Sequence, residues 1–488
     1  MPVPKIIYID CTATYNSGLN TGIQRVVNNV TTRAIGLSQD FGVEIIPVVA
    51  VSGGFKKLND MVVISRQPST LGGIRKKLFT LKQRISKLLW EASASSSPLV
   101  ALLAQKTYAG FRTLAFLLRR LLKIFRSVRL VFSKHDEHYE VFTSDDLLLI
   151  LDSFWTYDAL DVAEKSNDSK PVVVSVIYDL IPITHPQYCD QEFVKSFALL
   201  FPRIVELSDG LIGISQTVQK SVGDYVAQHC PNWAHRGMLD FFYLGADFKV
   251  NTLSQPDQLS PDIAALVGSN SPFFLAVGTV EPRKGYGYLL DGFEILWRQS
   301  NAHPLVIVGK VGWLCSDVLK RAQELKRSGR PLLMLHDVDD YTLDLLYKKS
   351  AAVIFPSFIE GFGLPLVEAL VRGKQVLASN IEVFEEIGGA NVSYFKAGST
   401  ESLAQSVGEF ISALSKSGYS AETRIINGAI NWDESAHTLI QKSINIFSKI
   451  NSAKFSGNIP VAPPVIGSAQ EIPRSKTQTE SPERCPAS

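Results

Sequence analysis

The 488-residue sequence holds only five cysteines, four methionines and eight histidines. Cys11, Cys189, Cys230, Cys315 and Cys485 are scattered, odd in number and never spaced as C-x-x-C. That excludes a disulfide framework and a cysteine zinc site, and favours a reducing compartment. No run of 18 apolar residues occurs, which excludes a transmembrane helix. The opening MPVPKIIYID reaches a strand-like run too soon to hold a signal peptide, so the expected location is cytoplasmic. An excess of charge of one sign is missing as well. The 49 Lys and Arg against 47 Asp and Glu leave +2, which removes a chain-wide nucleic-acid footprint. With 45% hydrophobic and 20% charged residues, disordered, collagenous and coiled-coil readings fail for the chain as a whole.

The near-neutral total is a cancellation. Between Arg75 and Lys134 there are fourteen Lys and Arg against one acid, Glu91, a local charge of +13 that leaves about −11 for the rest. Within this segment, FRTLAFLLRRLLKIFRSVRLVF (111–132) sets Arg112, Arg119, Arg120, Lys123 and Arg126 on one helical face, with Leu114, Leu118, Leu121, Leu122, Phe125 and Val128 opposite. RKKLFTLKQRISKLLW (75–90) repeats the composition more weakly. The expectation is a helical basic insertion over about 70–135. Such a helix can lie on an anionic membrane surface, or it can pack on the fold with a solvated cationic face.

Elsewhere short apolar, β-rich runs alternate with amphipathic segments of helix length, the pattern of βα units in parallel sheets. The first series is 5–10, 43–51, 146–152, 172–179 and 210–215; the second is 273–278, 304–309, 331–336, 351–357 and 375–380. Two series predict an α/β protein of two doubly wound domains, 1–250 and 263–430, facing each other across a cleft. A Pro-, Asp-, Ser- and Gln-rich connection (242–262) joins them. A helix over 431–450 follows, and the tail 452–488, rich in Pro and small polar residues, is expected to be disordered.

Two stretches of the second series carry chemistry. In FPSFIEGFGLPLVEALVRG (355–373), a strand leads into a loop holding Glu360, Gly361, Phe362 and Gly363, then a helix with Pro365 in its first turn and Gly373 past its end. The glycines allow close approach to backbone, and the helix start offers unsatisfied N–H groups with the positive end of its dipole. Glu360 and Glu368 bring two carboxylates to the carboxyl edge of a parallel sheet, where sugar hydroxyl groups suit them better than free anions. In GTVEPRKG (278–285), Arg283 and Lys284 follow a strand end and can neutralise a leaving diphosphate, on which charge grows as its bond to carbon breaks.

EGFGLPLVEAL, with seven residues between Glu360 and Glu368, resembles the signature of family 4 glycosyltransferases, retaining enzymes of the two-Rossmann GT-B fold. GTVEPRKGYGYLLDGF resembles that family's donor-diphosphate loop, and GKVGW (309–313) its next strand-to-loop segment. The resemblance implies that Arg283 and Lys284 face the donor diphosphate near Gly278, and that Glu360 faces the donor sugar. It further implies that Gly361, Phe362 and Gly363 set backbone amides against the sugar hydroxyls, and that Glu368 holds the ribose. TGIQRVVNNV (21–30) is similar to the family's first loop and helix, which would set Thr21 and Gly22 near the donor phosphate. IYDLIPITHPQY (177–188) resembles a cleft segment, with Asp179 and His185 on the acceptor side and Tyr178 where many members have His. DSFWTYD (152–158) and the Ser215, Gln216, Thr217 run also match family segments, and the helix after 431 would cross back onto the first domain, making Trp432 a hinge contact.

The expected reaction is transfer of a hexose, with GDP-mannose the favoured donor, to a glycan or lipid-linked acceptor in surface polysaccharide synthesis. No cofactor is expected beyond the nucleotide sugar, and no metal: Arg283 and Lys284 would take its place, and the acidic run at 337–340 reads as a helix cap. No nucleic acid is expected as a partner; an anionic membrane surface is, through residues 75–134, making the protein peripheral on the inner face. The alternatives are a GT-B sugar-nucleotide epimerase and a catalytically silent membrane-associated scaffold.

Overall fold

The computed structural model describes residues 2–17, 22–51, 53–58, 139–155, 159–165, 170–246, 259–269, 271–299, 302–336, 338–417 and 430–455. The basic segment 75–134, Thr21, the middle of the 242–262 connection and the tail beyond 455 lie outside them.

Two sheets form the framework. The first contains β1 (Ile6–Asp10), β2 (Glu44–Val51), β3 (Gly54–Lys57), β4 (Leu147–Ile150), β5 (Val172–Ile177), β6 (Gly210–Gly213) and β7 (Met238–Phe241), in the order β3-β2-β1-β4-β5-β6-β7. Every pairing is parallel except the β2–β3 hairpin. The second contains β8 (Phe274–Val277), β9 (Leu305–Val308), β10 (Leu332–Leu335), β11 (Ala352–Phe355), β12 (Gln375–Ser379) and β13 (Val392–Phe395), all parallel, in the order β10-β9-β8-β11-β12-β13. This is the pair of doubly wound sheets that the GT-B resemblance implies. Strand order reverses between β1 and β4 and again between β8 and β11, and at such a point the crossing helices diverge and open a crevice beyond the strands' carboxyl ends.

All ten strands read from the sequence are present. The central ones are buried on both faces, LLLI of β4, VVVSVI of β5 and AVIF of β11 without exception, which is why they read as near-continuous apolar runs. Three strands escaped that signal: β3 (GFKK), β7 (MLDF) and β13 (VSYF). Each lies at the edge of its sheet, where only one side is fully packed and polar residues are tolerated.

The last helix, Trp432–Phe455, returns to the first sheet. Trp432, Leu439, Ile440 and Phe447 are buried in that sheet's core, and Ser435 Oγ donates to the Tyr243 carbonyl at 2.8 Å. Trp432 is thus a core side chain of the first unit, 1% exposed. Among the described residues no helix is long and apolar enough to cross a membrane.

Candidate functional site

The loops after β8 and β11, the two strands flanking the second switch point, converge. Pro282–Lys284 forms a single 3-10 turn closed by Gly285, whose φ of 68° and position 1.9 Å from the Pro356 carbonyl, measured from a notional Cβ, leave room for no side chain. The turn therefore presses against the β11 loop, and Phe358 N–H donates to the Arg283 carbonyl at 2.8 Å. Two residues further on stands Glu360.

Glu360 is the centre of a buried ionic cluster. Arg283 Nη1 donates to its Oε2 at 2.5 Å, Lys284 Nζ to its Oε1, and Ser357 Oγ to the same Oε1 at 2.8 Å. Arg283 also donates through Nε to Glu281 Oε2 at 2.9 Å. Burial alone would raise the Glu360 carboxyl, but Arg283 and Lys284 overcome it and hold the group down at about 2. Burial likewise works against the Arg283 charge, and Glu360, Glu281 and Asp179 together hold it above its ordinary value. The loop thus favours the ionised forms of Arg283 and Glu360, while burial pulls the Lys284 ammonium below its ordinary value with Glu360 opposing.

The first unit contributes Asp179, at the carboxyl end of β5. Its Oδ1 accepts from Ile181 N–H at 3.0 Å, and burial pushes its carboxyl above the ordinary range with Arg283 opposing. Gly361 lies directly against this segment. A Cβ there would sit 2.2 Å from the Tyr178 carbonyl, and Gly361 O accepts from Ser215 Oγ at 2.9 Å. Phe362 is buried with the first unit's core. Gly361 and Phe362, two of the three residues the resemblance sets against the sugar, therefore also join the two units. Among the described residues no acceptor faces the N–H groups of Gly361, Phe362 and Gly363; Gly363 is the N-cap of the helix Leu364–Val371, with Pro365 in its first turn.

Glu368, on that helix, is buried, and its Oε1 accepts from Arg25 Nη2 at 2.5 Å. Arg25 stands on the helix Gly22–Gly36 of the first unit. Gly22 opens that helix and is exposed; Gly278 ends β8, and its carbonyl accepts from Tyr286 Oη at 3.0 Å. His185 is not joined to the Glu360 cluster by any hydrogen bond among the described residues. Its Nδ1 pairs with Thr184 Oγ1 at 2.9 Å, and it reaches the Glu360 loop only through stacked rings, His185 on Tyr188 and Tyr188 on Phe358. Burial lowers its pKa.

Sequence reasoning did not single out Arg25, Glu281, Ser357 or Glu386. The first two lie inside quoted motifs, TGIQR and EPRKG, where their charge was the available signal. Glu386 accepts from Gln216 N–H at 2.7 Å and from Thr217 N–H at 2.9 Å, capping a helix of the other unit 170 residues away. Nothing local in the sequence marks such a partner. Asp339, in the acidic run, does cap its helix by accepting from Thr342 N–H at 2.7 Å, while Asp337 lies outside the described residues. No group of three His, Cys, Asp or Glu side chains suited to a metal ion occurs among the described residues.

Residues 264–430 match the family described as Glycosyl transferases group 1. The serotype-specific mannosyltransferase WbdA of Escherichia coli is 31% identical over 271 residues, 54% of this chain and 33% of that protein. The O-antigen chain mannosyltransferase B of Escherichia coli is 36% identical over 118 residues, 24% of this chain and 31% of that protein. The matches thus span about a third of the length of these curated relatives. Among solved structures, Anabaena Alr3699/HepE in complex with UDP and glucose aligns over 93% of this chain and 100% of its own, at 16% identity and a TM-score of 0.47. The unit that carries Arg283, Lys284, Glu360 and Glu368 is a Glycosyl transferases group 1 domain, in a chain that resembles O-antigen mannosyltransferases.

Proposed function

We propose that the chain is a retaining glycosyltransferase that moves a hexose, mannose being favoured, from a nucleotide diphosphate sugar to a hydroxyl of a glycan or lipid-linked acceptor in surface polysaccharide synthesis. The observation that carries this reading is the convergence of Arg283, Lys284 and Glu360 in one buried cluster at the switch point of the second sheet. GDP-mannose is the donor we favour, in line with the names of the relatives.

In this reading the donor diphosphate enters beside Arg283 and Lys284 and competes with Glu360 for them. As the bond from the anomeric carbon to the phosphate oxygen breaks, its electron pair passes to the diphosphate, and the two cations are already in place to receive that charge. Glu360 turns to the hydroxyls of the sugar, and the unpaired N–H groups at Gly361 to Gly363 offer donors to the same ligand. Glu368 holds the ribose. The acceptor hydroxyl approaches from the side of Asp179 and His185, forms the new bond to the anomeric carbon and passes its proton to an oxygen of the departing diphosphate. Positioning and leaving-group stabilisation do the work, with water kept out by the closed units. No metal is required in this scheme, because the cations supply the charge.

A panel of GDP, UDP, ADP and dTDP tests the reading by thermal shift. A ligand at 100 times its Kd adds about 2.7 kcal/mol to stability. GDP should raise the melting temperature most, and sugar transfer from GDP-mannose to a polysaccharide acceptor should release GDP in step with product. Release of a rearranged sugar nucleotide without an acceptor would instead favour an epimerase.

A further inference from the structure

The Glu368 carboxylate is completed from the other unit. Among the described residues its only hydrogen-bond partner is Arg25 Nη2, 2.5 Å from Oε1, and the side chains are 4% and 32% exposed. A carboxylate this deeply buried is costly without a cation, and a charge-assisted bond fixes its plane as well as its charge. Arg25 is set in the first two turns of the helix Gly22–Gly36, where Asn29 Nδ2 donates to the Arg25 carbonyl at 2.8 Å. The helix itself is tied to the returning helix Trp432–Phe455 by an ion pair from Arg33 to Asp433 at 3.0 Å. The arginine is therefore held by a rigid support of the first unit, while the carboxylate it engages belongs to the second.

We propose that Arg25 is a positioning residue for the donor nucleotide: it grips one oxygen of Glu368 so that the other is presented to the ribose hydroxyls, and it makes that presentation depend on the two units being together. This rests on the ribose role given to Glu368 above. Arg283 and Lys284, the cations given to the diphosphate, stand on the second unit, whereas the ribose carboxylate is held by a side chain of the first, so loss of Arg25 acts on the ribose end of the donor.

The test uses the full chain with GDP and inorganic pyrophosphate as probes, read by titration calorimetry, and KM and kcat for GDP-mannose. Arg25→Gln should weaken GDP binding about tenfold and raise KM more than it lowers kcat, while pyrophosphate binding stays as in the parent. Arg25→Lys, which keeps a charge able to reach one oxygen, should recover most of the loss and serves if Arg25→Gln folds poorly. Arg25→Gln in a Glu368→Gln background should add nothing. Lys220→Ala, which removes the exposed pair to Glu382 between the same units, should leave GDP binding unchanged. Equal weakening of GDP and pyrophosphate by Arg25→Gln, or parental GDP binding in Arg25→Gln when Glu368→Gln binds poorly, overturns the proposal while sparing the role of Glu368. Parental GDP binding in Glu368→Gln overturns the ribose reading itself.

Discussion

Glu360 and Asp10 are two buried carboxyl groups driven in opposite directions by their neighbours. Glu360 faces Arg283 and Lys284, so its ionised form is favoured despite burial, and the stabilisation it gives is present above pH 4.5 and lost as pH falls toward 2. Replacing it by Ala should cut sugar transfer by about a hundredfold or more while changing bare nucleotide binding several-fold at most; equal losses in both would remove it from the sugar side. Asp10, at the carboxyl end of β1, has no cation paired with it among the described residues. Burial, reinforced by the charge of Asp152 at the end of β4, raises it from 3.8 to about 7, against hydrogen bonds from Thr12 N–H and Oγ1. Its folded state holds a proton that the unfolded chain gives up, so stability falls as pH rises from about 4 to 7. Asp10→Asn keeps the acceptor oxygen and removes the titration. Urea unfolding at pH 5 and pH 8 should show the variant gaining about 2–4 kcal/mol relative to the parent at the higher pH; a pH-independent difference would contradict this.

At the scale of elements, the β8 and β11 loops were legible because they combine strand, turn glycine and helix start with unusual charge, a local signal that needs no knowledge of the fold. The buried central strands were legible for the same reason. What could not be read were contacts whose two halves lie far apart in sequence: Arg25 with Glu368, Ser215 with Gly361, Glu386 with the start of the helix Gln216–His229. Those contacts give Gly361 a role beyond ligand approach. A methyl group there must displace the Tyr178 carbonyl, a backbone oxygen 2.2 Å away, and overpacking of this kind costs about 1–3 kcal/mol. Gly361→Ala should therefore loosen the two units, raising the radius of gyration in small-angle scattering and lowering transfer about tenfold or more. An unchanged scattering profile with parental activity would show that the junction tolerates the methyl.

For the whole molecule, the two sheets form a frame to which both units bring charged groups: the second Arg283, Lys284, Glu360 and Glu368, the first Asp179 and Arg25. The basic segment 75–134 stands apart from that frame in sequence, with its +13 set against a body of about −11. We propose that it brings the enzyme to an anionic membrane carrying a lipid-linked acceptor. Reversing the charges of Arg119, Arg120 and Lys123 should then release the protein from phosphatidylglycerol vesicles in a flotation assay while donor turnover with a soluble acceptor is retained; undiminished flotation would assign that face to the fold instead. The central claim, that the Arg283, Lys284 and Glu360 cluster drives departure of a nucleoside diphosphate, is tested most directly by comparing GDP release from GDP-mannose, in the presence of acceptor, between the parent and a folded Lys284→Ala variant. Lys284→Ala should lose about a hundredfold to a thousandfold in kcat with an intact melting transition. Turnover near the parental rate would contradict it.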